Sequence, residues 1–158
     1  MPISPTEYDL YAAAILHWMP IIFTPDTTWP VVCGLKGRSR DPCELAVTGD
    51  TAVEWAAYVA ANKSTFAIDS VELARRGVQL AGPPPRPYGF TGCAPSPVEV
   101  RISRAGFNRD STEAILSFEP LSVPDLAEGC MIVGGQTALY QKATDGSWKR
   151  VKYLSAWM

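Results

Sequence analysis

Beyond Pro97 the hydrophobic residues recur at every second position, and this change of period constrains the fold more than any other feature of the chain. Val98, Val100 and Ile102 alternate with Glu99, Arg101 and Ser103, the pattern of a strand with one buried and one wet face. Gly106-Phe107-Asn108-Arg109-Asp110 supplies turn residues, and Ala114, Leu116 and Phe118 begin the next strand. Pro120 and Pro124 bound a loop, and Met131 to Ala143 is a strand region loosened by Gly134-Gly135. Asp145-Gly146 is a hairpin turn leading into Trp148 to Trp157. The expectation is an antiparallel, mainly C-terminal, four-stranded meander.

The N-terminal half follows the helical period instead. Ser4-Pro5-Thr6-Glu7 reads as a helix start, with Ser4 as cap, Pro5 in the first turn and Glu7 reaching back to complete a capping box. Tyr8, Tyr11, Ile15 and Trp18 then form an apolar stripe, and Pro20 prevents continuation past Met19. Ile21-Ile22-Phe23 and Val31-Val32-Cys33 are short β-rich runs separated by prolines. Thr51 and Glu54 make a second capping box, opening a helix to Asn62 expected to bury Ala52, Trp55, Ala56 and Val59. Asp69 or Ser70 caps a third helix with Val71 and Leu73 on its apolar side and Gly77 as its stop. Residues 81–97 hold six prolines and form a long surface connection. Together these elements predict one α+β domain over residues 1–158, its three helices packed on one face of the meander.

At 158 residues, 47% hydrophobic and 19% charged, the chain has the composition of a globular domain rather than a disordered one. A net charge of −2 supplies no global positive field, which argues against nucleic acid as a partner. The charge is uneven: residues 1–35 contain no Lys or Arg, and Lys63 to Arg109 carries seven basic residues against three acidic. The longest apolar stretch, Leu10 to Phe23, is broken by His17 and Pro20 and falls short of a transmembrane segment. Glu7 and Asp9 occupy the region where a signal peptide would be positive. The chain is therefore read either as cytoplasmic or as an exported protein whose leader has been removed.

No motif names a chemistry. The single histidine, His17, lies within a helix, and no G-x-S-x-G elbow accompanies it. H-E-x-x-H, an EF-hand loop, a Walker loop and a G-x-G-x-x-G turn are all missing, so no metal or other cofactor is expected. Asp125 and Glu128 lie three apart in a loop and could form a carboxylate pair, a spacing common by chance. Cys33, Cys43, Cys93 and Cys130 have neither zinc-site nor C-x-x-C redox spacing. Cys33 and Cys43 flank a loop that suits a disulfide clip in an oxidising compartment; otherwise the four are idle thiols. One polar constellation is a ligand-binding candidate. Arg101 and Ser103 share the face opposite the valines, and Arg104, Asn108 and Arg109 follow near the turn, where guanidinium forks could receive a carboxylate or phosphate.

Ile102-Ser103-Arg104-Ala105-Gly106-Phe107-Asn108, then Thr112-Glu113-Ala114-Ile115-Leu116, Gly134-Gly135, Asp145-Gly146-Ser147-Trp148-Lys149 and Trp157 follow one another in a recognisable order. This order resembles an uncharacterised family of small exported bacterial proteins with an S-R-V-G-F-N hairpin, a glycine-rich strand, a G-K-W turn and a closing tryptophan. The Tyr8 to Ile15 helix and the Ile21 to Thr27 strand are similar to that family's start. The resemblance implies a periplasmic or secreted protein, which suits the even cysteine count, and implies no activity. Cys130 stands alone where members often carry two cysteines, so the resemblance assigns no partner to Cys93 or Cys130.

With few titratable site residues beside five tryptophans and six tyrosines, the leading expectation is non-catalytic binding of a protein or small-molecule ligand through the sheet and the Pro/Gly-rich loop. A small hydrolase or isomerase with a pocket between sheet and helices is the alternative, and a toxin-immunity or inhibitor protein is the third.

Overall fold

Ser4 starts the first helix as its sequence requires: its Oγ accepts from the Glu7 N–H at 3.2 Å, and helix α1 runs Pro5–Trp18. The computed structural model describes residues 2–19, 21–29, 49–83, 97–120, 123–125, 129–131 and 135–156. Strand β1 is Ile21–Ile22, a 3-10 turn at Gly49–Thr51 leads into α2 (Ala52–Ala61), and α3 (Ser70–Arg75) is followed by β2 (Gln79–Leu80). Among the described residues seven strands follow: β3 (Val100–Ile102), β4 (Gly106–Phe107), β5 (Glu113–Pro120), β6 (Val123–Asp125), β7 (Gly129–Met131), β8 (Gln136–Lys142) and β9 (Trp148–Ala156). The chain is thus α+β, with its main sheet antiparallel and C-terminal. The Val31-Val32-Cys33 run, Cys43, Cys93, Glu128 and Trp157 lie outside the described residues, and Cys130 falls in β7.

The main sheet has the order β3-β5-β8-β9, and β4 shares with β3 the same edge of β5. Gly106 and Phe107, read as turn residues in the sequence, form β4 opposite Ile115 and Ala114, and the turn lies beyond them. There Asn108 Oδ1 accepts from the N–H groups of Thr112 and Glu113, at 2.9 and 3.1 Å. Asp145 performs the same service in the last hairpin, accepting from Ser147 N at 2.9 Å, while Gly146 takes φ +87°, as such a turn requires. β6 and β7 form a separate antiparallel ribbon, and β1 and β2 a parallel pair whose Ile22 joins the core.

Helix placement differs from expectation. Alternate residues of a strand face opposite sides of a sheet, and on β5 both sides are buried. Ala114, Leu116 and Phe118 pack with Tyr11, Ile15 and Leu73, so α1 and α3 cover that side. Ile115 packs with Tyr58 and Leu139 on the other, with Trp55 and Leu154 against them, so α2 covers the second face. The three helices therefore enclose the sheet instead of sharing one side. A buried hydroxyl chain continues the α2 contact: Tyr58 to Ser117 and Ser117 to Thr137, both at 2.6 Å.

This also rotates the buried face of α2 from the predicted one. Of the four residues expected inward, Trp55 is half-buried against the core, but Val59, Ala52 and Ala56 are exposed, and it is Glu54 and Tyr58, four residues apart, that are buried. The reason is close approach. The α2 backbone crosses directly over Gly106, where an added Cβ would overlap the Glu54 carbonyl oxygen and the Tyr58 N and Cα. Gly106→Ala must push helix and strand apart, and since backbone cannot rotate away, the expected loss is about 3 kcal/mol or more. Denaturant unfolding measures it; a loss within a few tenths of a kcal/mol would show that α2 is not seated on β4.

Candidate functional site

The five residues expected to gather an anion do not form one cluster. Arg101 stacks on Trp29, its guanidinium carbon 4.1 Å from the ring centroid, and lies 3.8 Å from the Glu119 carboxylate across the strand pair. Ser103 is fully buried under α2, its Oγ donating to the Arg104 carbonyl and accepting from Ser117 N, both at 2.9 Å. Asn108 is spent on its turn, and Arg109 is exposed beside it. The sequence placed Arg101 and Ser103 correctly on the face opposite the valines, but that face is roofed by a helix near Ser103 and is not open to solvent there.

Arg104 turns the other way, into the core. Its Nε donates to Glu7 Oε1 at 2.9 Å and its Nη2 to Glu7 Oε2 at 3.1 Å, and the plane lies 4.3 Å over Phe66. Glu7 Oε1 also accepts from Ala105 N at 2.7 Å and from the Tyr11 hydroxyl at 2.9 Å. Tyr11 shares that one proton with the Ser103 carbonyl, also at 2.9 Å. Burial, then the adjoining Glu7 charge, holds the Tyr11 phenol well above its usual range. Glu7 thus closes no capping box. It is 2% exposed and neutralises Arg104 in a knot of paired, fully directed bonds, which is structural chemistry and leaves no room for a ligand.

A second acidic feature lies on the α2 side. Glu54 is buried, its Oε2 has no hydrogen-bond partner among the described residues, and burial first, with the neighbouring Glu113 carboxyl adding to it, raises its pKa. Glu113 in turn accepts from Gln141 Nε2 at 2.6 Å. A carboxyl in that position keeps a proton that the unfolded chain gives up.

The exposed chemistry is at the far end of α1. The β8/β9 register slips between Leu139 and Tyr140, so Arg150, opposite Tyr140, and Tyr153, opposite Ala138, point to the same side although three residues apart. That is the α1 side, since Ala138 and Tyr140 belong to the α1 core. The Arg150 guanidinium lies 4.2 Å from the Tyr153 ring centroid and 5.7 Å from that of Trp18, the last residue of α1. Tyr153 is 51% and Trp18 36% exposed, and exposed His17 meets Trp18 edge-on at 5.2 Å. Beneath them, Arg150 Nη1 makes a long contact of 3.4 Å to Gln136 Oε1. Burial pushes the Tyr140 phenol up to about 12, with the Arg150 charge pulling the other way. No carboxylate among the described residues pairs with Arg150.

A groove of about 460 Å³ lies on the outer side of α1 and α3, by Pro2, Ile3, Tyr8 and Phe66. Its carboxylates are engaged: Asp69 caps α3 through Val71 N, and Glu72 pairs with Arg75 and Arg76. Among the described residues no helix is long and apolar enough to cross a membrane, and no group of three His, Cys, Asp or Glu could hold a metal ion. Comparison with protein families, with characterised proteins and with solved structures finds no match.

Sequence reasoning missed Trp18, Gln136, Arg150 and Tyr153 as a group. Period-two reading puts Arg150 and Tyr153 on opposite faces, and only the bulge brings them together. Glu54 makes the sharper prediction here. Its folded pKa lies above the unfolded one, so the native state binds more protons than the unfolded state between the two values, and stability falls as pH rises through that window. Glu54→Gln should be more stable than the parent at neutral pH and should flatten this fall, as read from urea midpoints across the acid-to-neutral range. Equal slopes would place Glu54 in water.

Proposed function

We propose that the protein is an exported, non-catalytic binding protein that receives a carboxylate-bearing partner at the Trp18, Arg150 and Tyr153 surface. The observation that carries the reading is Arg150 itself. A guanidinium stacked on one aromatic ring with a second close by has lost much of the freedom that makes a surface arginine costly to order, yet no carboxylate among the described residues meets its charge. Trp, Tyr and Arg are the side chains that dominate recognition surfaces, because each offers a large rigid area with a polar edge. Export rests on the family resemblance of the hairpin and closing-strand motifs.

Four other described arginines support the choice by contrast, while exposed Arg109 meets no carboxylate among the described residues but also has no aromatic ring over it. Arg76 bonds Asp9 and Glu72, Arg75 bonds Glu72, Arg104 bonds Glu7, and Arg101 faces Glu119. A small hydrolase or isomerase is the second reading, and the proton-holding Glu54 beside Glu113 is the feature that favours it. Turnover of an ester, glycoside or peptide panel that is lost in Glu54→Gln would establish it.

For the binding reading, capped peptides carrying one glutamate beside an aromatic residue should bind more tightly than their glutamine counterparts, as followed by calorimetry. Arg150→Ala should cost about tenfold or more in affinity, the size of a charge-assisted hydrogen bond. Arg150→Lys should recover only part, because an ammonium neither stacks nor forks. Equal binding of the glutamate and glutamine peptides would end the proposal.

A further inference from the structure

The two edges of the main sheet are treated differently. Along β3, the segment after β1 closes the edge, with Phe23 N bonded to the Val98 carbonyl at 2.9 Å and Trp29 N to the Ile102 carbonyl at 2.8 Å. β9 is the other edge, nine residues long, and no described element beyond β8 hydrogen-bonds its backbone. A strand of that length, unpaired on its outer side by any described residue, presents a row of N–H and C=O groups that is a template for another strand.

Charge decides what can pair there. β9 reads Trp-Lys-Arg-Val-Lys-Tyr-Leu-Ser-Ala, with Lys149, Arg150 and Lys152 in four consecutive residues and no acid, in a chain whose net charge is −2. A second copy laid antiparallel along this edge with the basic runs in register would bring three cations against three cations, and like charges opposite one another destabilise a strand pair. An acidic strand meets the opposite sign at each of them. The register gives the recognition its geometry: Lys149 and Lys152 lie opposite Gln141 and Leu139, on the α2 side, whereas Arg150 and Tyr153 face the α1 side. Consecutive acids on an incoming strand, pointing alternately to the two sides, therefore reach Lys149 or Lys152 on one and Arg150 on the other.

We infer that the outer edge of β9 takes up an extended acidic segment of another protein as an added strand. This rests on the Arg150 reading and extends it from one carboxylate to a backbone-paired chain. The probe is a capped octapeptide, Thr-Glu-Glu-Ile-Glu-Glu-Val-Thr, with two versions N-methylated at alternate residues in the two possible registers and one with lysine in place of every glutamate. The parent peptide should bind, the lysine peptide should not, and one N-methylated register should bind about tenfold more weakly while the other is spared, since an added strand uses one edge only. Amide shifts should map to residues 149–155. If both N-methylated peptides bind like the parent and Arg150→Ala abolishes binding, strand addition is wrong and the Arg150 site stands. If one register is sensitive but Arg150→Ala is silent, strand addition holds and the Arg150 reading falls. Failure of the parent peptide to bind, or a dimer joined through β9 in sedimentation and cross-linking, overturns the inference.

Discussion

The structure hangs on a charge that has been taken out of water. Glu7 enters the core on the first turn of α1, where Arg104, the Ala105 amide and the Tyr11 hydroxyl all converge on its carboxylate. Desolvating such a pair is costly, and removing either partner leaves the other stranded at roughly 3–5 kcal/mol. The bonds are therefore conditional on one another. They also fix geometry, because Arg104 and Ala105 are the residues where the chain leaves β3 and turns into β4. The knot sets α1 against the sheet at that corner, and Asn62 at the end of α2 grips the same spot from the opposite side, accepting from Arg104 N and donating to its carbonyl at 2.9 Å each.

That clamp explains why the sheet is buried on both faces. With α1 and α2 both tied to one backbone corner, each must lie across β5, and Ile115 and Ser117 become core residues as fully as Leu116 and Phe118. The exposed Trp18, Arg150 and Tyr153 cluster lies at the margin, on β9 and the last turn of α1. There the bulge, rather than the regular pleat, determines which side chains share a surface.

The sequence disclosed the elements better than their arrangement. Ser4, Asp69 and Asp145-Gly146 act where the sequence puts them, because a cap or a tight turn is decided by a few adjacent residues. Val98, Val100 and Ile102 are buried as their alternation demands. What failed was anything dependent on a distant partner. Glu7 and Glu54 both look like members of capping boxes, since a glutamate at that spacing has a local use, and only the fold offers them interior positions. Gly106 looks like a turn glycine, and its real role, letting a helix backbone lie on a strand, leaves no local trace. Arg101, Ser103, Arg104 and Asn108 are close in sequence yet are spent on different contacts, and Arg109 stays exposed beside them. Arg150 and Trp18, far apart in sequence, meet because α1 packs along β9.

The Ala105 amide reports directly on the knot, because its hydrogen goes to Glu7 Oε1 at 2.7 Å and to no strand partner. Native-state hydrogen exchange at this position should require global unfolding, with an opening free energy equal to that of the most protected β5 and β8 amides and lost together with theirs when Glu7 is replaced by Gln. Rapid exchange of Ala105 in the intact protein, while β5 and β8 remain protected, would mean that α1 and the sheet are held together by something else.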